Sequence, residues 1–372
     1  MNIWEIDQKQ SDILPILRLS YEKLPPHLRQ CFAYCSMLPK GFEIPREVFI
    51  NLWIAQEVVE AFDGEILVCR IHNLVHDLAQ SVAGDESLNV KADIKSISDR
   101  VRHLYLHDDD LHCNEMQTPA GLVLQALDLE ELPSSIGGLQ QLRYLDLSHS
   151  SNLRSLPKSF CKLVNLQTLN LMNCEKFQDL PGNFRSLVSI KTLYLTCREI
   201  SLTRKSLQSF NSIQFLLLYN CNFVQLPSEG FQNLNSLRVL RIYDCPRLAS
   251  LPGNIKYLTA LEKLWIWNCE VLDLSDGDGL EGLTSLESLL LMGLPKLINL
   301  PMGLTENVAK TLKFFRIANC ANFAMLPEWL LSFNLLQRLY VEDCPNLSFL
   351  PQEVGSHIAK VHVSGCPKLG KV

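Results

Sequence analysis

No run of eighteen uncharged apolar residues occurs anywhere in this 372-residue sequence, so it offers no helix able to cross a bilayer. The first twenty residues, MNIWEIDQKQSDILPILRLS, lack a basic start followed by an unbroken apolar core, which argues against a secretory leader. An excess of positive charge is also missing. Lys and Arg number 34 against 40 Asp and Glu, a net charge of −6. Phosphate backbones are held by clustered cations, so nucleic acid is not an expected partner. No Gly-x-x-x-x-Gly-Lys-Ser/Thr loop is present to cradle a nucleotide's phosphates, and the closing Gly370-Lys371-Val372 is not one. The 13 cysteines are odd in number and follow no export signal. That fits reduced thiols in a cytoplasmic protein better than a disulfide framework.

What is present is a period. The pattern LxxLxL recurs with first residues Val101, Leu124, Leu142, Leu166, Ile190, Ile213, Leu237, Leu261, Leu286, Leu312, Leu336 and Ile358. All but one of the spacings fall between 22 and 26 residues, the exception being the 18 between Leu124 and Leu142. This is the range of leucine-rich repeats. The alternating end of each unit, as in LRYLDL (142–147), suits a short strand with one buried face. A Leu-Pro step follows, at Leu132-Pro133, Leu156-Pro157, Leu251-Pro252 and Leu326-Pro327 among others. Proline donates no N–H and fixes its own φ, so it belongs on the irregular back of the coil and not in the strand. Phe160, Phe184, Phe231 and Ile255 are placed to fill that back. No single unit could bury its apolar face, but stacking could. Cys174, Cys221, Cys245, Cys269, Cys320, Cys344 and Cys366 each stand three places beyond the strand's last apolar position, which reads as one structural thiol per repeat. A zinc site would instead need paired ligands at short spacing. The expected fold class is therefore an α/β leucine-rich-repeat solenoid, a horseshoe with a parallel sheet on its concave face, spanning 101–372 in about twelve repeats.

Residues 1–100 do not repeat. Apolar spacing predicts helix over 11–36, interrupted at Pro25-Pro26, a second amphipathic stretch opened by Pro45, a short strand at Ile66–Ile71 and a helix from His72 to Val82. His72 and His76 form His-x-x-x-His, but Asn73 stands where a zinc hydrolase needs its glutamate base, so no catalysis is expected. Cys31 and Cys35, with Phe32 and Tyr34 between them, read as core packing. Asp108-Asp109-Asp110 reads as a solvated loop, and SDGDG (275–279) lacks the spaced ligands of a calcium loop.

The segment LSYEKLPPHLRQCFAYCSMLPKGFEIPREVFINLWIAQ (19–56), with CFAYCSMLPK at 31–40, resembles the winged helix of plant nucleotide-binding leucine-rich-repeat disease-resistance proteins of the coiled-coil type. IHNLVHDLAQSVAGDE (71–86) is similar to the stretch that opens with that family's Met-His-Asp motif, here Ile71-His72-Asn73. The resemblance implies a partial winged-helix domain over 1–100 ahead of the repeats, truncated so that the phosphate-binding core is missing. It implies a cytoplasmic innate immune receptor that recognises a pathogen effector or a guarded host protein in plant defence. In the family ADP or ATP sits against the winged helix, and His72 would touch the phosphates. Without the phosphate loop the expected cofactor of this chain alone is none. Two further departures are Asn73 in place of the family's Asp and a short interval, about fifteen residues, between Trp53-Ile54-Ala55 and Ile71. The rival to a working receptor is a non-signalling remnant, decoy or adaptor that modulates a full-length receptor. An extracellular leucine-rich-repeat receptor would carry Asn-containing repeats and capping cysteine pairs, where this chain has Cys and Leu-Pro.

The partner is expected on the concave face. Strand residues pointing away from the core include Tyr194, Tyr219, Arg241, Tyr243, Trp265, Trp267, Arg316 and Tyr340. Tyr219, Tyr243 and Trp267 share one equivalent position, with Trp265 placed beside Arg241 and Arg316. Aromatic and Arg side chains are the types enriched where interfaces hold most of their energy. The competing reading is that these rings stack on one another merely to cover the sheet.

Overall fold

The computed structural model describes residues 18–25, 29, 32, 43–45, 68–70, 77–79, 81–82, 87–91, 103–107, 130–196, 198, 210–226, 232–275, 280–304 and 307–369. Near the amino terminus, β1 (Glu43–Pro45) pairs antiparallel with β2 (Val68–Arg70). β2 lies within the strand expected at Ile66–Ile71. Residues 18–22, 77–79 and 81–82 are helical, as the apolar spacing predicts. The amphipathic stretch after Pro45 lies outside the described residues, as do Cys31, Cys35, the histidine motif and the acidic loop at 108–110.

The rest is one parallel sheet of twelve strands laid side by side in chain order. These are β3 (Ser87–Lys91), β4 (His103–His107), β5 (Tyr144–Asp146), β6 (Thr168–Leu171), β7 (Thr192–Thr196), β8 (Phe215–Tyr219) and β9 (Val239–Tyr243), then β10 (Lys263–Trp267), β11 (Ser288–Met292), β12 (Phe314–Ala318), β13 (Arg338–Glu342) and β14 (Lys360–Ser364). Each strand from β4 onward begins two residues after the start of a repeat match. The ladder itself opens one strand earlier, at β3, where SLNVK carries only Leu88 and Val90 and no full LxxLxL. The match at Leu124 lies outside the described residues. β4 pairs directly with β5, His103 opposite Tyr144.

Burial shows why the period takes this form. In β10, Leu264 and Ile266 are buried while Lys263, Trp265 and Trp267 face the other way. Each fully buried Leu contributes roughly 1.5–3 kcal/mol, and stacking joins the buried leucines from Leu132 to Leu347 in one continuous core. Beyond the strand the backbone turns through the left-handed region at His149, Asn173, Asn220, Asp244, Asn268, Asn319 and Asp343, with Gly293 and Gly365 at the same place in their units. Asn, Asp and Gly are the residues that tolerate this conformation. The next residue in most units is the ladder cysteine. Its thiol donates back to the carbonyl two residues earlier, for example Cys245 to Tyr243 at 3.3 Å and Cys320 to Ala318 at 3.4 Å. Cys174 also donates to Leu147 of the preceding unit at 3.1 Å, and burial pushes its pKa up, which keeps it a donor. The cysteines are thus turn-closing groups, as their spacing suggests.

The Leu-Pro step opens the back of the coil. Pro133, Pro157, Pro252 and Pro327 sit in extended backbone immediately ahead of short 3-10 turns, and their carbonyls accept the first bonds, as from Phe160 N–H to Pro157 at 2.9 Å. Phe160, Phe184 and Ile255 are fully buried there, while Phe231 lies outside the described residues. Between strand and proline runs a second, fragmentary parallel ladder, with bridges Glu131–Ser155–Asp179, Gln225–Ser250 and Met325–Phe349.

Candidate functional site: the outward face of the sheet

In-register pairing turns the outward side chains into three rows running across the strands. The last row reads Thr196, Tyr219, Tyr243, Trp267, Met292, Ala318 and Glu342. Tyr219, Tyr243 and Trp267 are therefore direct neighbours, as their shared position predicts. The Tyr243 and Trp267 rings meet edge-on with centroids 5.6 Å apart. Trp267 keeps 40% of its surface exposed. Tyr219 is half-buried, and burial first, then the adjacent Asp244 carboxylate, push its hydroxyl pKa above the ordinary value. It therefore remains a hydrogen-bond donor.

The middle row reads Asp146, Asn170, Tyr194, Leu217, Arg241, Trp265, Leu290, Arg316, Tyr340 and His362. Arg241 stands directly beside Trp265, its guanidinium 3.9 Å from one ring centroid of the indole and 5.3 Å from the Phe215 ring. Its exposure is only 8%. The guanidinium is planar and weakly hydrated, which suits it to a desolvated place between rings. Trp265 donates its indole N–H to Ser288 Oγ at 3.2 Å and lies against Leu290, Met292 and Ala318. Tyr194 is buried against Phe215 and Leu217, ring to ring at 5.2 Å. Arg316, however, is not beside Trp265. Leu290 of β11 occupies the place between them, and Arg316 instead bonds to Glu342, its Nε at 3.0 Å and its terminal nitrogen closer still. Counting repeats along the chain had placed both arginines next to Trp265, but neighbours on a sheet are decided strand by strand. Tyr340 stacks near Phe314 at 5.7 Å.

The expected site residues thus divide. Tyr194 and Arg241 are buried supports, Trp265, Tyr219 and Tyr243 are half-covered, and Trp267 presents an open ring. His72 lies outside the described residues. The sequence reading missed a polar end of the face. Asp146 is almost wholly buried and accepts from Tyr144 Oη at 3.0 Å, Asn170 Nδ2 at 2.9 Å and the Ser148 N–H at 2.8 Å. The signal available was a run of Asp146, Asn170 and the threonines at outward positions of 144–196 where later units carry aromatics.

A family model for the leucine-rich repeat matches residues 141–163, the stretch that holds β5 and the 3-10 turn Lys158–Lys162. Disease resistance protein RGA2 of Solanum bulbocastanum is 30% identical over 177 residues, covering 37% of this chain and 18% of that protein. Disease resistance protein UNI of Arabidopsis thaliana is also 30% identical, over 195 residues, 39% of this chain and 21% of that protein. The chain is homologous to plant disease-resistance proteins. Its matches span roughly a fifth of the length of the first of these relatives. Among solved structures, the Toll–Spätzle complex of Drosophila aligns with a TM-score of 0.53 over 63% of this chain and 31% of that one, at 18% identity. That likeness concerns the solenoid alone. Among the described residues, no helix is long and apolar enough to cross a membrane.

Proposed function

We propose that this chain is the recognition part of a plant innate immune receptor, a non-enzymatic cytoplasmic protein. It binds a protein ligand, a pathogen effector or a guarded host protein, on the outward face of its sheet. The carrying observation is the graded exposure of that face. Arg241 is fixed between Trp265 and Phe215, while Trp267 on the same ladder leaves 40% of its surface uncovered beside Tyr243. Rigid aromatic anchors cost little conformational entropy on binding, and a ring held ready at the rim of a packed cluster is what a contact hot spot requires. Homology to disease-resistance proteins supports the biological setting. The winged-helix division at 1–100 and the role of His72 rest on resemblance alone.

The test is co-purification from leaf tissue challenged with a pathogen, using the tagged chain beside a Tyr243→Ser/Trp267→Ser variant of matched circular dichroism. Proteins retained by the parent and lost by the variant are expected. If every retained protein stays bound to the variant, recognition does not use this face and the proposal fails.

A further inference from the structure

Among the described residues the sheet ends at β14, and that edge is open in two ways. In a parallel ladder alternate residues turn both backbone groups toward the same neighbouring strand. The Lys360 N–H donates to the Gln337 carbonyl at 2.9 Å, and the Ser364 carbonyl accepts from the Asp343 N–H at 2.9 Å. Lys360, His362 and Ser364 therefore serve β13, and the N–H and C=O groups of Val361 and Val363 point to the opposite side, where the described sheet has no further strand. The core is open at the same place. Val361, Val363, Cys366 and Leu369 are only half-buried, whereas Leu339, Val341, Cys344 and Leu347, which hold the same places one unit earlier, are wholly buried. Edge strands are commonly blunted by a proline, a bulge or a charge turned inward. β14 has none of these: KVHVS pairs regularly with β13 and turns two valines toward the core, and its lysine stands on the outward side.

We propose that this edge is occupied by β14 of a second copy of the chain, laid antiparallel about a two-fold axis through His362. An open strand edge selects an extended segment whose side chains alternate apolar and polar. KVHVS is itself such a segment, with Val361 and Val363 inward and Lys360, His362 and Ser364 outward, so the chain carries the complement of its own edge. The register centred on His362 is the one that pairs the whole strand, Lys360 to Ser364. It sets each Val361 against Val363 of the copy. Residues opposed in this way exchange both backbone bonds, so the open N–H and C=O groups of both valines are used on both chains. On the inward side the valines of the two strands close the gap between the two cores. On the outward side each Lys360 lies across from a Ser364, so no lysine opposes a lysine. A two-fold pairing uses up both edges and stops at two chains. The axis stands perpendicular to the sheet, so outward side chains stay outward in both copies, and Trp267, on β10, remains clear of the joint.

Sedimentation velocity of the whole purified chain, from about 1 to about 50 μM at neutral pH, tests the pairing. A species of twice the chain mass is expected to become predominant within that range. Val363→Pro removes an N–H that β13 does not use, and proline is tolerated on the open side of an edge strand. It should weaken the dimer about ten-fold or more, with circular dichroism and thermal midpoint close to those of the parent. His362→Cys replaces a side chain that is 50% exposed, and in the proposed register the two copies of this residue face each other with Cα atoms about 4.5 Å apart. Under oxidised glutathione it should lock the dimer through a disulfide that the parent does not form. A parent that stays monomeric to the highest concentration would overturn the proposal, as would a dimer equally strong in Val363→Pro. Species that keep growing with concentration would mean head-to-tail joining of β14 to β3 and would overturn the closed pair. A dimer that His362→Cys fails to lock would overturn the register.

Discussion

Truncating Arg241 should loosen the centre of the outward face by an amount that separates charge from bulk. The side chain is 8% exposed and lies 3.9 Å from Trp265 and 5.3 Å from Phe215. A desolvated cation–π contact is worth about 2 kcal/mol. Against it stands the cost of taking a cation from water, which can cancel or exceed such a gain when the burial is deep. Here the guanidinium lies on the outer side of a single sheet and is weakly hydrated to begin with, so the attraction should win by about 1 kcal/mol. Arg241→Met keeps the stem and removes the charge, and should cost that 1 kcal/mol. Arg241→Ala also removes the stem that fills the space between β8 and β10, and should cost about 3 kcal/mol, within the range for large-to-small changes at buried sites. A repeat array is stabilised by local and nearest-neighbour terms, so the readout must be local. Amide exchange in β9 and β10 should quicken about five-fold in the Met variant and about a hundred-fold in the Ala variant, while β5 and β13 change little. If Arg241→Met exchanges as slowly as the parent, the guanidinium contributes nothing and the rings are held by packing alone.

Three further predictions follow from other parts of the coil. A Cβ on Gly282 would come within 2.2 Å of the Lys256 carbonyl oxygen and 2.5 Å of its Cα, whereas Gly138 has no atom within 4 Å; thermal melts should therefore show Gly282→Ala destabilised by about 1–3 kcal/mol and Gly138→Ala unchanged or slightly stabilised. Asn319 has φ of 54°, so Asn319→Val should cost about 1–2 kcal/mol in urea titration and Asn319→Gly much less. Burial holds His149 below its ordinary pKa of 6.5 despite the opposing pull of Asp146, so the folded state binds fewer protons than the unfolded one. Its stabilising contribution is complete above pH 6.5 and is lost as pH falls through the lowered value; His149→Asn, which keeps a residue suited to φ of 63°, should flatten the fall in urea midpoint between pH 7.5 and 5.

The solenoid was legible because one constraint repeats. Positions such as Leu264 and Ile266 must be apolar in every unit, Pro252 must fall outside the strand, and the cysteine must close the turn, so a single chain displays its own alignment. The left-handed residue before each cysteine is equally regular, as Asn, Asp or Gly in every unit from Asn173-Cys174 to Gly365-Cys366 where a cysteine follows, but three residue types share the place, so it shows no single-letter period. Neighbour relations were legible only where every intervening unit keeps step. Tyr219, Tyr243 and Trp267 satisfy that condition, but Arg316 and Trp265 do not, since β11 places Leu290 between them. At the amino-terminal end the period is weaker: β3 carries two apolar residues and no full motif, and only its parallel pairing with β4 reveals it.

The outward positions escape this logic because nothing in the coil demands any one residue there. Lys263, Ser288, Phe314, Arg338 and Lys360 occupy one row and mix cations with a serine and a phenylalanine, although the residues that follow them, Leu264, Leu289, Phe315, Leu339 and Val361, are all apolar. A row free of structural demand can still be set by what the chain stacks upon itself, as with Arg241 on Trp265, and that part is fixed by the fold. What remains after subtracting such internal contacts is the uncovered part of the Trp267 ring at the rim. An indole left 40% uncovered forgoes part of the burial its size allows. A ligand that covers that ring would supply the burial the sheet leaves unmet.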